Sequence, residues 1–529
     1  MKILKVLGKS LLSVGRLAPY LLTLLVLVLA LRGIPGNPDV AKLNTSSWKD
    51  AGPFDTSPER GRFALVYSIV EEDSFSYTLP VARFAIPDIG YHNGSYVSLF
   101  APGSAIVLIP GYLIGKFLGS SQIGTYAVIL LFAFLNFLLI KAISRILGAS
   151  SNSSFVSALS FTFASTAFAY AVNLYQHHLS VFLLLTSFYS LLKFSPLKSL
   201  SITWFLFPLS LAIDYPNAFL FSPLLVYSLI RLVNFRKLKN NLAISLNLKY
   251  LLLIPLFSLS TLLFFFWVHD KSYGNPLQLA GTVKNIRSID ENGLPAQPDN
   301  SADPNTSAQL EKLASQRSAL SFFNTRNLVN GMNILIFSPD RGVINYWPLV
   351  IIAFFGVAIL YQKHQKVAVL ILSVFITNLL IYSSWGDPWG GWSFGPRYLI
   401  PGFAFLSVAI SQYLNKFKTK PLLLLLFTAV FSYSLYVNTA GALTSVSNPP
   451  QVEVLSLEEQ TGQEQKYTFE RNLDHLENNR SKALYFRQTY SENFSAHDYF
   501  KIVLSIVSVI ALTHTIKIYL EKDTYETNF

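Results

Sequence analysis

Four groups of residues in this chain are of types that can do chemistry. The stretch FDTSPERGRFALVYSIVEEDSF, residues 54–75, places Asp55, Glu59, Glu71, Glu72 and Asp73 just after an apolar run. A carboxylate at a membrane surface can act as a general base toward a hydroxyl. Asp55 and Glu59, beside Ser57 and Pro58 at the start of an amphipathic pattern, would equally complement a helix dipole. The second group is WGDPWGGWSFGPRYLIP, residues 385–401. Its Trp385, Trp389 and Trp392 offer flat surfaces for sugar stacking or for an aromatic membrane belt. A belt does not call for Asp387, nor for the Gly-rich turn that ends in Arg397, where a guanidinium and open backbone can approach a phosphate. The third group is Asp214-Tyr215-Pro216-Asn217, between two apolar runs. A charge there would cost roughly 2.5–3.5 kcal/mol at mid-membrane and less near the surface, so Asp214 is either functional or a hairpin cap. The fourth is Tyr175-Gln176-His177-His178, whose adjacent histidines point apart and lack metal-pair spacing. Walker, dinucleotide and HExxH motifs are absent from the sequence.

The elements that hold these groups are membrane helices. Of the 529 residues, 51% are hydrophobic and 13% charged, about half the charged share of a soluble protein. Apolar runs of about 16–20 residues, near what a ~30 Å hydrocarbon core requires, predict twelve crossings. They lie at 17–32, 123–142, 154–172, 178–193, 201–214, 216–233, 249–268, 346–361, 366–383, 398–414, 420–437 and 500–519. The basic start MKILKVLGKSLLSVGR predicts a retained anchor that begins in the cytoplasm. The loops then read as inside hold 20 of the 41 basic residues but only three of the 29 acidic ones. Positive charge therefore stays on the cytoplasmic side, and the net charge of +12 is a topology signal that needs no nucleic-acid partner. The run 102–118 is interrupted by Pro102, Gly103, Pro110, Gly111 and Gly115, and counting it as a crossing would put the basic clusters outside. It is expected as a juxtamembrane helix lying in the outer interface.

The predicted fold class is thus an all-α polytopic membrane protein. Residues 1–437 form a transmembrane catalytic module, with a first outer loop at 33–122 and a polar outer loop at 269–345. A small extracytoplasmic segment follows at 438–499, and residues 500–529 form a last crossing and cytoplasmic tail. No internal repeat or inverted symmetry of the transporter kind is present. With no cysteine, the outer loops carry no disulfides.

Several strings, in order over roughly residues 17–415, resemble the GT-C superfamily of membrane glycosyltransferases, near protein O-mannosyltransferases and lipid A aminoarabinose transferase. They are SPERGRFALVYSIVEEDSFSY, PDIGYHNGSYVSLFAPGSAIVLIPGYLIG, YAVNLYQHHLSVFLLL, LAIDYPNAFLFSPLLVYSL, YGNPLQL, FSPDRGVINYWPLV and WGGWSFGPRYLIPGFAFL. The resemblance implies a multi-pass protein of a bacterial inner membrane. It would take a sugar from a polyprenyl-phosphate donor and pass it, with inversion, to a glycan, lipid or protein hydroxyl on the extracytoplasmic face. A phosphate leaves without protonation, so one carboxylate base and cations for the phosphate suffice. No cofactor is required, and a divalent cation is permitted. Asp55, Glu59 and Asp88 are the candidate bases, with Glu59 first and Asp88 in reserve. Relatives carry a Lys where this chain has Phe100, so Arg397, Arg62 or Arg341 would hold the phosphate, with Asp214, His178, Trp392 and Asp387 around the sugar. A polymerase or ligase using lipid-linked donors, or a lipid or sugar transporter or flippase, are the competing classes.

Overall fold

The computed structural model describes residues 17–49, 52–238, 241–246, 248–286, 294–295, 322–491 and 493–521. Every run expected to cross coincides with helix. Six of these helices are long and apolar enough to span a membrane: Ser121–Ile146, Pro196–Ile213, Leu252–Tyr273, Gln365–Ser383, Pro421–Leu443 and Ala496–Leu520. The chain is an integral membrane protein. Two expected runs are broken. The run at 154–172 divides into Ser151–Thr162 and Ala167–Ala171, where Ser165 turns its hydroxyl onto the Phe161 carbonyl (2.6 Å), a bond that competes with the helix ladder. The run at 216–233 divides into Asn217–Leu220 and Ser222–Ile230. Pro223 sits in the first turn of the second piece, because a proline in a helix interior would remove a ladder bond.

The all-α expectation needs correction in two places. Val233–Leu238 pairs antiparallel with Asn241–Leu246, with Val233 opposite Leu246, and a second sheet lies between the long loops. Strands Ile89–His92 and Ser95–Ser98 form an antiparallel hairpin, with Ile89 opposite Ser98. Lys284–Ile286 adds to the other edge, with Ile89 opposite Ile286. This small sheet joins the two long loops expected on the outer face. Residues 287–293 and 296–321 of the polar loop predicted at 269–345 lie outside the described residues.

Ile400–Lys416 is the central helix. Every residue from Ile400 to Leu414 is buried, as befits a helix apolar on all sides. It packs on Leu349–Lys363, Ser151–Thr162 and Gln365–Ser383. Arg397 stands immediately before it, so the most rigid part of the bundle sets that side chain's position. The helix Gly103–Phe117 packs closely along Ser121–Ile146. A Cβ at Gly111 would collide with the Gly124 carbonyl, so small residues permit this approach. The 438–499 segment contains helices Gln451–Thr461, Glu470–Glu477 and Tyr485–Tyr490. It is stitched to the end of the first helix by Gly33 N–H to Ala483 O (2.9 Å) and Tyr485 N–H to Leu31 O (2.9 Å).

Candidate active site

The helix Ser57–Glu71 begins with Pro58 in its first turn and a capping box between Thr56 and Glu59. One turn on, Arg62 is 4% exposed and turned toward a cavity of about 520 Å³ at one end of the bundle, a size suited to a small ligand. Arg62 donates to Pro58 O (3.1 Å) and Gln176 Oε1 (2.5 Å), and its Nε has no acceptor. Gln176 in turn donates from Nε2 to Asp214 Oδ2 (3.2 Å).

Arg397 lines the same cavity. The Gly-rich turn before it is built by local bonds. Asp387 accepts from Gly390 N (3.1 Å) and Gly391 N (2.7 Å), and Gly390, Gly391 and Gly395 all have left-handed φ values of 58–71°, which favour glycine. Arg397 folds back to donate to Gly390 O (2.7 Å), leaving Nε and Nη1 without an acceptor in hydrogen-bonding geometry. Both guanidiniums lie over the one Tyr175 ring, each 5.1 Å from its centroid. Arg62 also lies 4.2 Å from the Phe100 ring. Among the described residues, neither arginine has a carboxylate within salt-bridge distance. Two permanently charged groups thus line one largely apolar cavity, with Arg62 Nε and Arg397 Nε and Nη1 lacking acceptors, an arrangement that suits an anion.

Asp214 lines this cavity, just past the end of Pro196–Ile213. Burial pushes its carboxyl up to about 6, against the Gln176 bond and the two arginines. Asp88 is half-buried, and burial raises its carboxyl too, against Ser57 and Arg62. Its Oδ2 has no partner, but it does not line the cavity. The remaining walls are aromatic. Tyr382 stacks on Tyr398 with centroids 4.2 Å apart, and Phe322 stacks on Trp385 at 5.4 Å.

The other sequence candidates are placed differently. Glu59 is wholly buried and engaged by both oxygens. Oε2 accepts from Asp55 N (2.7 Å) and Thr56 N (3.1 Å); Oε1 accepts from Leu174 N (3.1 Å) and Tyr126 OH (3.3 Å). It fixes the loop before Tyr175 and does not line the cavity. Asp55 pairs with Lys482 (2.7 Å) and Arg32 (3.6 Å) and accepts from Val446 N (2.6 Å). Burial alone would raise its carboxyl, but Lys482 and Arg32 outweigh that and hold it below the usual carboxylate range. Arg341 staples the Gly-rich turn through Trp389 O (2.8 Å) and Gly391 O (2.9 Å). His178 bonds Ala167 O (2.8 Å) inside the bundle. Trp392 faces outward, donating to Glu453 (2.7 Å) beneath Arg471. No group of three His, Asp or Glu side chains forms a metal cluster among the described residues.

Tyr382 and Tyr398 were not legible as site residues, since a tyrosine in an apolar run reads as core. His177, which lines the cavity, was obscured by its neighbour. Successive helical residues point about 100° apart, so only one of the two histidines reaches the cavity.

No protein-family model and no curated protein matches the chain. Solved structures do. ArnT from Cupriavidus metallidurans in the apo state is 11% identical, with a TM-score of 0.45, covering 96% of this chain and 76% of that one. The same protein bound to undecaprenyl phosphate gives 12% and 0.44 with the same coverage. The Archaeoglobus fulgidus oligosaccharyltransferase in the apo form is 13% identical, with a TM-score of 0.49, over 85% of this chain and 58% of that one. With identity and TM-score this low, the likeness carries no argument about the site.

Proposed function

We propose that this protein is a membrane glycosyltransferase that takes a sugar from a polyprenyl-phosphate donor on the extracytoplasmic face and transfers it, with inversion, to an acceptor hydroxyl. The observation that carries this is the pair of buried arginines, Arg62 and Arg397, which keep nitrogens without acceptors and have no carboxylate within salt-bridge distance among the described residues, on a cavity that Asp214 also lines. Their charge stabilises the departing phosphate in the transition state. The largely apolar walls admit the first part of a lipid chain, and the stacked aromatics offer faces to a sugar ring.

Asp214 is the general base of this proposal. It lines the cavity, Gln176 fixes one of its oxygens, and its raised pKa brings it close to working pH, where a general base is most effective. Glu59, the first candidate from sequence, becomes a positioning residue. In a transfer assay with a radiolabelled polyprenyl-phosphate sugar, Asp214→Asn lowers turnover by roughly 10²-fold or more. The wild-type rate climbs with pH through about 6, since the base must be deprotonated, and the variant lacks that limb. Unchanged turnover in Asp214→Asn removes it from this role, and loss of turnover in Asp88→Asn instead would transfer the role to Asp88.

The proposal places twelve crossings in the membrane, both termini in the cytoplasm, and Gly103–Phe117 in the outer interface. That helix contains Pro110, and counting it as a crossing would put the basic clusters of the later loops outside. The chain has no native cysteine, so single cysteines report topology cleanly. Leu118→Cys, at a position 74% exposed, labels from outside with an impermeant thiol reagent, whereas Thr419→Cys labels only after permeabilisation. The reverse pattern at Leu118 would make Gly103–Phe117 a crossing.

A further inference from the structure

Resting on the phosphate site proposed above, we infer that His177 is a third ligand of the donor phosphate, alongside Arg62 and Arg397. His177 lines the same cavity and is 4% exposed, and its Nε2 is enclosed without a hydrogen-bond partner. A buried imidazole nitrogen with nothing to bond is costly, and the residue that carries it lies on the cavity wall. The ring is held on two sides. It stacks on Tyr175 with centroids 5.7 Å apart and planes 6° from parallel, and meets Tyr170 edge-on at 5.3 Å.

Tyr175 is also the ring over which both arginines lie, each at 5.1 Å. Three nitrogen-bearing side chains from three separate elements therefore converge on a single aromatic ring, and all three carry unfilled nitrogens. Gln176, the residue before His177, ties Arg62 to Asp214, so the backbone that sets the imidazole also sets the cavity's charge. An anion with several oxygens is the ligand that such a group can satisfy at once. A neutral imidazole N–H adds a directed donor without a third positive charge, which suits a phosphate that must be released after transfer.

The test is binding of undecaprenyl phosphate, without sugar, to purified full-length protein. His177→Phe keeps a flat ring against Tyr175 and loses the nitrogen, so affinity should fall about tenfold or more. His177→Gln, which restores an N–H donor, should recover most of it. Wild-type affinity in His177→Phe would overturn the inference. Should that variant not fold, ¹⁵N-histidine NMR of the wild type decides, with His177→Gln identifying the signal among the eight histidines. A His177 Nε2 shift on adding undecaprenyl phosphate supports the contact, and no shift overturns it. Arg397→Ala, run in parallel, separates the two levels. If it binds normally, the phosphate site itself is wrong; if it is weakened while His177→Phe is not, only the histidine's role is lost.

Discussion

Two clusters of buried charge lie close together in this molecule, and they differ in whether their cations are paired with a carboxylate. Around Asp55, the carboxylate meets Arg32 and Lys482, Arg32 also reaches Asn173 Oδ1 (2.7 Å), and neighbouring Glu59 accepts four bonds. Around Tyr175, Arg62 and Arg397 line a cavity, have no carboxylate within salt-bridge distance among the described residues, and keep nitrogens without acceptors. Buried charge is tolerated where it is paired and hydrogen-bonded. The first cluster is paired within the protein, although Arg32 Nε also lacks an acceptor; among the described residues the second has no carboxylate within pairing distance. Charge alone therefore does not mark a site, and unpaired charge beside a cavity does.

The comparison breaks most readily at Asp55. Asp55→Asn strands Arg32, which is fully buried, and should cost about 3–5 kcal/mol of stability. Turnover per folded molecule should change little, because the carboxylate touches no cavity. The sign with pH follows from its depressed pKa. The stabilisation is fully present above the ordinary carboxylate range and is lost as pH falls through the folded value. Chemical denaturation of the two proteins at neutral pH checks the size. A smaller effect is expected at Glu59. Gln serves in a capping box as well as Glu, and an amide oxygen can still accept from Leu174 N, so Glu59→Gln should keep turnover within a few-fold. A hundredfold loss with unchanged melting would return Glu59 to the chemistry.

Much of the fold was legible because length and hydropathy determine which segments can be membrane helices, and positive loops distinguish their ends. The small sheet was not anticipated, since its third strand, Lys284–Ile286, is three residues long in a polar loop. The site was legible in part. Arg62, Arg397 and Asp214 stood out because a charge beside apolar runs needs a reason. Glu59 and Asp55 stood out equally, yet their partners come from residues as distant in sequence as Leu174 and Lys482, which no local pattern reveals. Asp387 and Arg341 were read as ligands of the sugar or phosphate, and their bonds are instead to the turn that carries Arg397.

The central claim is that Arg62 and Arg397 hold one phosphate between them. A double-mutant cycle on undecaprenyl-phosphate binding, with Arg62→Ala, Arg397→Ala and the pair, tests it most directly. Each single variant should weaken binding by at least tenfold. The losses should be non-additive, as for two groups acting on one ligand. Wild-type affinity in either single variant, or losses that simply add, would contradict a shared phosphate.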